Sequence, residues 1–190
     1  MVTSKKVLQY CYFICMFTLV ACASTSKSEV LETAIDDNGS PKWVAQGSRP
    51  LKSSNTRVFH GVGHAEPGGD LSKQITIADR RAKAEMGKIL SSYMKIVSRN
   101  YIASGEGKNT GFDHYQAAQH INAITRNNLQ IARIVGHWRD SKDNTIYSVA
   151  ELNLGQVTNT LKPQVMDNGF ISYFRLKSNT IFDNIAIVKK

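Results

Sequence analysis

The segment from residue 71 to about residue 101 constrains the fold most, because it carries the longest helical pattern in the chain. Its apolar side chains recur at steps of three and four, the period of one face of a helix. The residues that we expect on that face are Ile75, Ala78, Ala82, Met86, Ile89, Tyr93 and Ile96. Because Ala78 and Ala82 are small, the first half of this helix can lie close against a sheet.

Residues 57–65 have the alternation of a β-strand. Val58, His60, Val62 and His64 fall on one face, and Phe59, Gly61, Gly63 and Ala65 fall on the other. Glycines inside a strand are typical of sites where another backbone approaches closely. We therefore expect Gly61 and Gly63 to meet Ala78 and Ala82 of the long helix.

The rest of the chain predicts a second, short helix over residues 113–127 and a hairpin of two strands, residues 129–140 and 145–154. The turn between these strands has the polar composition of a hairpin loop. Helices are predicted over residues 156–166 and 171–188. The expected class is α+β, with a small antiparallel sheet of about three strands packed against the long helix, and with the short helix and C-terminal helices around it.

The N-terminus has the pattern of a secretory signal. Lys5 and Lys6 precede an apolar run, residues 7–20, that is too short to span a bilayer comfortably. The run ends in the lipobox pattern Leu19, Val20, Ala21, Cys22, which predicts attachment of diacylglycerol to the Cys22 thiol, cleavage before Cys22 and acylation of the new amino terminus, for example with palmitate. A plain signal peptide with an incidental Cys22 is the alternative.

The predicted organisation is a signal peptide over residues 1–21, a flexible tether over residues 22–41 and a single domain over residues 42–190. Trp43 is the first large apolar side chain after the tether, so we expect it to be a packing anchor. Multiple acyl chains hold a protein stably on a membrane. Because Ala23 rather than Asp follows the cysteine, the outer membrane is the expected location.

Composition bears on the chemistry of the mature chain. Cys11 and Cys15 leave with the signal, so lipidated Cys22 is the last cysteine and no disulfide, cysteine metal site or cysteine nucleophile is expected. The formal charge of +9 falls to +7 when Lys5 and Lys6 are removed. Outside the cytoplasm such a charge favours lipid headgroups, lipopolysaccharide or peptidoglycan over nucleic acid, and a solvated surface with no charged partner is the alternative.

Four motifs carry a resemblance that covers nearly the whole mature domain. They are Pro41-Lys42-Trp43-Val44, Gly61-Val62-Gly63-His64-Ala65, Ala78-Asp79-Arg80-Arg81-Ala82-Lys83-Ala84-Glu85, and His137-Trp138-Arg139-Asp140 followed by Tyr147-Ser148-Val149-Ala150-Glu151-Leu152. In order and spacing they resemble the Lpp-twenty family of bacterial outer-membrane lipoproteins, which includes the FlgP-type flagellar lipoproteins. Asn144 and Ser148 depart from the family pattern, which usually has Gly and an apolar residue there.

The resemblance implies an outer-membrane lipoprotein on the periplasmic face or the cell surface. Some members are surface antigens, and others support the flagellar basal body and motility. It implies no catalytic residues. It marks packing positions at Trp43, Gly61, Gly63, Ala78, Ala82, Trp138 and Tyr147.

Catalytic and ligand-binding patterns are weak. His60 and His64 would lie about 13 Å apart on one strand, too far for one metal ion. Gly61 and Gly63 begin a dinucleotide fingerprint, but Glu66 stands at its third glycine. We expect no enzyme, metal or cofactor. The leading hypothesis is a non-enzymatic envelope structural or protein-interaction module, with envelope or flagellar proteins or a second copy as partner; a basic module for an anionic polymer, a surface antigen and a periplasmic hydrolase are the alternatives.

Overall fold

The structure, a computed structural model, describes residues 35–37, 39–52, 55–106, 112–163 and 166–188. The predicted signal peptide, the lipobox with Cys22 and the tether up to residue 34 lie outside the described residues. The elements are the helices α1 (Lys42–Gln46), α2 (Leu71–Ser104), α3 (His114–Ile131), α4 (Leu154–Thr160) and α5 (Asn168–Ile185), and the strands β1 (Arg49–Lys52), β2 (Arg57–Ala65), β3 (Arg133–Arg139), β4 (Ile146–Asn153) and β5 (Ile187–Val188).

The strands form one sheet in the order β3-β4-β2-β1-β5, on which α2 packs, and α3 and α5 pack against α2, so the predicted α+β class is confirmed. The first four strands pair antiparallel, and the two-residue β5 pairs parallel with β1. The expected count of about three strands was too low, since β1 and β5 were missed. β1 contains Pro50, which has no N–H to donate and argues against a strand in a sequence pattern.

The first half of α2 lies directly on β2. An added Cβ on Gly61 would lie 2.6 Å from the Cβ of Met86, and one on Gly63 would lie 2.7 Å from the carbonyl oxygen of Ala78. Both glycines would also meet the backbone of Ala82. The contact expected between the glycine face of the strand and the small face of the helix is therefore present.

The buried stripe of α2 differs from the prediction at Ile75 and through its second half. Ile75, Ile89 and Ile96 are only half-buried. The residues that replace them in the core are Leu90, Met94, Val97 and Tyr101. The stripe changes because α2 packs on the sheet at first and then against α3 and α5 as well.

The boundary between α3 and β3 was misplaced. Residues 129–131, predicted to begin a strand, are the last turn of α3. Asn128 is fully buried and its amide donates to the carbonyl oxygen of Ile124 and to Thr160 Oγ1. This polar residue lies on the buried face of the helix and interrupts its apolar periodicity, so the predicted helix ended before the true one.

The C-terminal helices also begin and end elsewhere than predicted. α4 starts at Leu154 because Asn153 forms a capping box with Gln156, and it ends at Thr160, ahead of Pro163. α5 starts at Asn168, after an N-cap in which the carboxylate of Asp167 accepts from the N–H of Phe170. The chain then leaves the helix to form β5.

Aromatic rings dominate the core between the sheet, α2 and α5. The Phe59 ring centroid lies 5.3 Å from that of Tyr93 and 5.1 Å from that of Phe182. The buried Tyr93 hydroxyl donates to the carbonyl oxygen of Ser178 at 2.8 Å, and burial raises the Tyr93 pKa. A second group of rings, Tyr101, Phe112, Phe170 and Tyr173, fills the other end of the core.

Asp183 ties α5 to the sheet. Its carboxylate accepts from Arg57 Nε and Nη2, both at 2.7 Å, and from Lys52 Nζ at 2.6 Å. The Arg57 hydrogen bonds, reinforced by Lys52, lower the pKa of Asp183 to about 2. The contact joins the end of α5 to β1 and β2.

Replacing Asp183 with Asn is expected to lower the free energy of unfolding by about 1 kcal/mol at neutral pH. This is the upper end of what a partly exposed ion pair contributes. Because the folded-state pKa lies below the ordinary value of 3.8, the stabilisation is complete above that value and disappears as the pH falls towards 2. Denaturant unfolding of both chains across this range checks it. A difference that persists undiminished at the lower end would contradict the ion-pair explanation.

Candidate interaction surface

The central strand β2 has two different edges. β4 pairs with it from Val58 to Ala65, almost its full length. β1 pairs only with residues 57–60 on the other side. Among the described strands, none continues beside residues 61–65 on the β1 side, so the second half of β2 has no described strand partner there.

Side chains rather than a strand meet this edge. Gly47 has a φ of 67°, and the chain there turns so that the Ser48 side chain reaches β2. Ser48 Oγ accepts from the N–H of Val62 at 2.8 Å and donates to its carbonyl oxygen at 3.3 Å. Arg81 Nη1 donates to the carbonyl oxygen of His64 at 2.8 Å. Two polar side chains therefore satisfy the N–H and carbonyl groups of Val62 and the carbonyl group of His64.

A cavity of about 450 Å³ lies between this edge and α2. We call it the β2 notch. Its lining residues are Val62, Gly63 and His64 from β2, and Arg81, Ala84, Glu85 and Lys88 from α2.

The rim of the β2 notch is basic. Arg81 and Lys88 are exposed, and the acidic Glu85 is paired with Lys88, with 2.6 Å between Nζ and Oε1. α2 as a whole carries seven Lys and Arg residues and two acidic residues. Five of the seven net positive charges of residues 22–190 thus belong to one helix.

The sheet face opposite α2 carries an aromatic row across three strands. The Trp138 and Tyr147 ring centroids are 5.4 Å apart, and those of Tyr147 and His64 are 5.7 Å apart. Trp138 and Tyr147 are half-buried, whereas His64 is exposed. Cross-strand aromatic pairs of this kind stabilise a sheet.

The same face contains a buried acid-imidazole pair. His60 and Glu151 are direct neighbours on β2 and β4, with His60 Nε2 2.6 Å from Glu151 Oε1. Their exposed fractions are 2% and 5%. By strand register Arg49 and Arg133 flank this pair on β1 and β3. A cavity of about 190 Å³ borders it, lined by Val58, Arg133, Glu151, Asn153 and Gln156.

The predicted motif residues fall in three places. Gly61 and Gly63 meet Ala78 and Ala82 beneath α2, while Trp138 and Tyr147 lie together on the opposite face. Trp43 is buried on the short helix α1, with 4% of its surface exposed.

Neither the β2 notch nor the His60–Glu151 pair was predicted from the sequence. His60 and Glu151 are 91 residues apart, and Ser48 meets Val62 across a turn. Only strand register brings these groups together.

The described residues contain no cluster of three or more His, Cys, Asp or Glu side chains that could hold a metal ion. None of the helices in the described part of the chain is both long and apolar enough to cross a membrane.

No protein-family model matches the chain, and the search of curated proteins finds no match. The family resemblance of the four motifs stays a prediction.

Proposed function

We propose that this chain is a lipid-anchored outer-membrane protein whose domain is a non-enzymatic structural or protein-interaction module of the bacterial envelope. The observation that carries the proposal is the lipobox, Leu19, Val20, Ala21 and Cys22, at the end of a short apolar run. The second half of β2, which has no strand partner on its β1 side among the described residues, supports the interaction role, since sheet edges are templates for association. Support of the flagellar basal body is the sharper version, and it rests on the motif resemblance.

Cys22→Ala is expected to abolish incorporation of labelled palmitate and to leave an uncleaved or periplasmic species. The reason is that the lipid is attached to the thiol of this cysteine. Cys15→Ala is the matched control, because it removes a cysteine within the apolar run and leaves the lipobox intact. Processing of the wild type that is insensitive to globomycin would contradict the lipid anchor.

The interaction role is tested by cross-linking in cells, followed by detergent extraction and mass spectrometry. Recovery of basal-body components supports the flagellar version, and recovery of the chain alone as a cross-linked species supports a homo-oligomer. A strict monomer with no cross-linked partner in its native membrane would contradict the interaction role.

A second candidate function is binding of an anionic envelope polymer, peptidoglycan or lipopolysaccharide. The observation that favours it is the concentration of positive charge on α2. Attraction between exposed charges weakens as salt rises. Co-sedimentation with either polymer is therefore expected to fall with ionic strength, and binding that is insensitive to salt would reject this candidate.

A further inference from the structure

We propose that the β2 notch is the docking site for an extended acidic segment of a partner protein, which adds as a strand beside residues 61–65 in line with β1. This inference rests on the proposed interaction function and deepens it, since it names the surface and the chemistry of the partner.

The backbone of β2 provides the first argument. Strand addition to a sheet edge is a recurrent mode of peptide recognition in which main-chain hydrogen bonds supply affinity. The N–H and carbonyl groups of Val62 and the carbonyl group of His64 point towards the notch, where Ser48 and Arg81 now meet them. An incoming strand can replace both, because Arg81 is exposed and Ser48 is half-buried, so each released side chain can turn towards water.

The dimensions of the cavity provide the second argument. A paired strand lies about 4.7–4.9 Å from its neighbour in the hydrogen-bonding direction. The β2 notch offers about 450 Å³ in that position, next to Gly63 and Ala84. β1 ends its pairing at His60, and the Ser48 side chain just before β1 meets Val62, so no described strand pairs with residues 63–65 on this side.

The alternation of a strand defines the chemistry of the segment. Side chains of the added strand that lie opposite Val62 and His64 point to the face with the aromatic row, because paired residues share a face. The side chain between them points to the other face, towards α2 and its cations Arg81 and Lys88. Acidic side chains that alternate with apolar ones fit this pattern.

The positive charge of the rim argues against the same edge of a second copy of this chain as the segment that docks in the notch. Two β2 notches brought together would place Arg81 and Lys88 of one copy near those of the other. Like charges in direct apposition are unfavourable. The partner segment is therefore acidic rather than identical.

The test uses the full lipidated chain in detergent micelles and a short blocked peptide of alternating Glu and Val, labelled for fluorescence anisotropy. Two further probes are the same peptide with alternate backbone nitrogens methylated and a version with Lys in place of Glu. We expect the first peptide to bind, and the two others to bind at least about tenfold more weakly, since one lacks donors and the other has the wrong charge. Hydrogen exchange is expected to slow at residues 62–64 when the first peptide is present.

Matched variants of α2 separate the notch from the general charge of the helix. Lys88→Glu is expected to weaken binding of the acidic peptide by about tenfold. Lys95→Glu makes the same charge change on the same helix outside the notch, and it should have little effect on binding. Ser48→Ala is expected to strengthen binding, because no hydroxyl then has to leave Val62.

Three outcomes would overturn the proposal. They are equal binding of the methylated and unmethylated peptides, equal weakening by Lys88→Glu and Lys95→Glu, and absence of binding by the acidic peptide. The second outcome would point to a polyanionic polymer along α2 instead. Lipidation at Cys22 and cross-linking in cells are measured separately, so failure of the peptide test leaves the proposed envelope function standing, and failure of lipidation leaves peptide binding measurable.

Discussion

Replacing Gly63 with Ala is expected to lower the free energy of unfolding by about 3 kcal/mol, the upper end of the range for overpacked cores. The new Cβ would lie 2.6 Å from the carbonyl carbon of Arg81 and 2.7 Å from the carbonyl oxygen of Ala78. Both atoms belong to the backbone of a long helix, so neither can rotate away as a side-chain tip can. α2 and β2 would have to separate, and separation loosens the packing on both sides of the contact.

Denaturant unfolding of the purified chain measures this effect as a lower midpoint at unchanged slope. Gly61→Ala should behave in the same way, because its Cβ would lie 2.6 Å from that of Met86. Gly68→Ala is the matched control, since no heavy atom lies within 4 Å of its added Cβ. Equal midpoints for the Gly63 and Gly68 variants would contradict the close contact between β2 and α2.

The parts of the fold that could be predicted are those with strong local patterns. β2 begins and ends where its alternation and the following Pro67-Gly68-Gly69 place it. α2 begins after Asp70, whose carboxylate accepts from the N–H of Lys73. The turn at Asn144 was also recognisable, and its φ of 62° is tolerated by Asn. In each case a side chain and its near neighbours in sequence determine the backbone.

The parts that were missed depend on contacts distant in sequence. β5 exists as a strand only because β1 lies beside it, and β1 itself contains Pro50. The last turn of α3 has an apolar alternation that suits a strand equally well. It is helical because Leu129 packs against Gly87 of α2, a neighbour that no local pattern could supply.

The candidate surface divides in the same way. The contact between the glycines of β2 and the alanines of α2 could be predicted from the sequence, because both consist of small residues that recur with the period of their own element. The β2 notch could not be matched, since it exists where β1 stops pairing and where Ser48 and Arg81 meet the edge. Its position is a property of strand register, and register was not determined by the composition of any single strand.

Glu151→Ala is expected to cost about 3 kcal/mol in the free energy of unfolding, because it leaves the buried imidazole of His60 without the partner that now lies at 2.6 Å. Truncating one member of a buried polar pair leaves the other desolvated and unsatisfied. A compensating double change, His60→Phe with Glu151→Leu, is expected to recover most of the loss, since apolar residues often replace such a pair with little cost. Denaturant unfolding of the three variants measures both effects.

Asp79→Ala is the matched control for burial, because Asp79 Oδ1 lies the same 2.6 Å from His137 Nε2. The side chains of that pair are 29% and 43% exposed, whereas those of Glu151 and His60 are 6% and 2% exposed. Water can therefore solvate His137 when its partner is removed, and the expected cost is below about 1 kcal/mol. Similar losses for Glu151→Ala and Asp79→Ala would mean that burial does not determine the contribution of the His60–Glu151 pair, and the sheet face opposite α2 would then be more hydrated than its exposed fractions indicate.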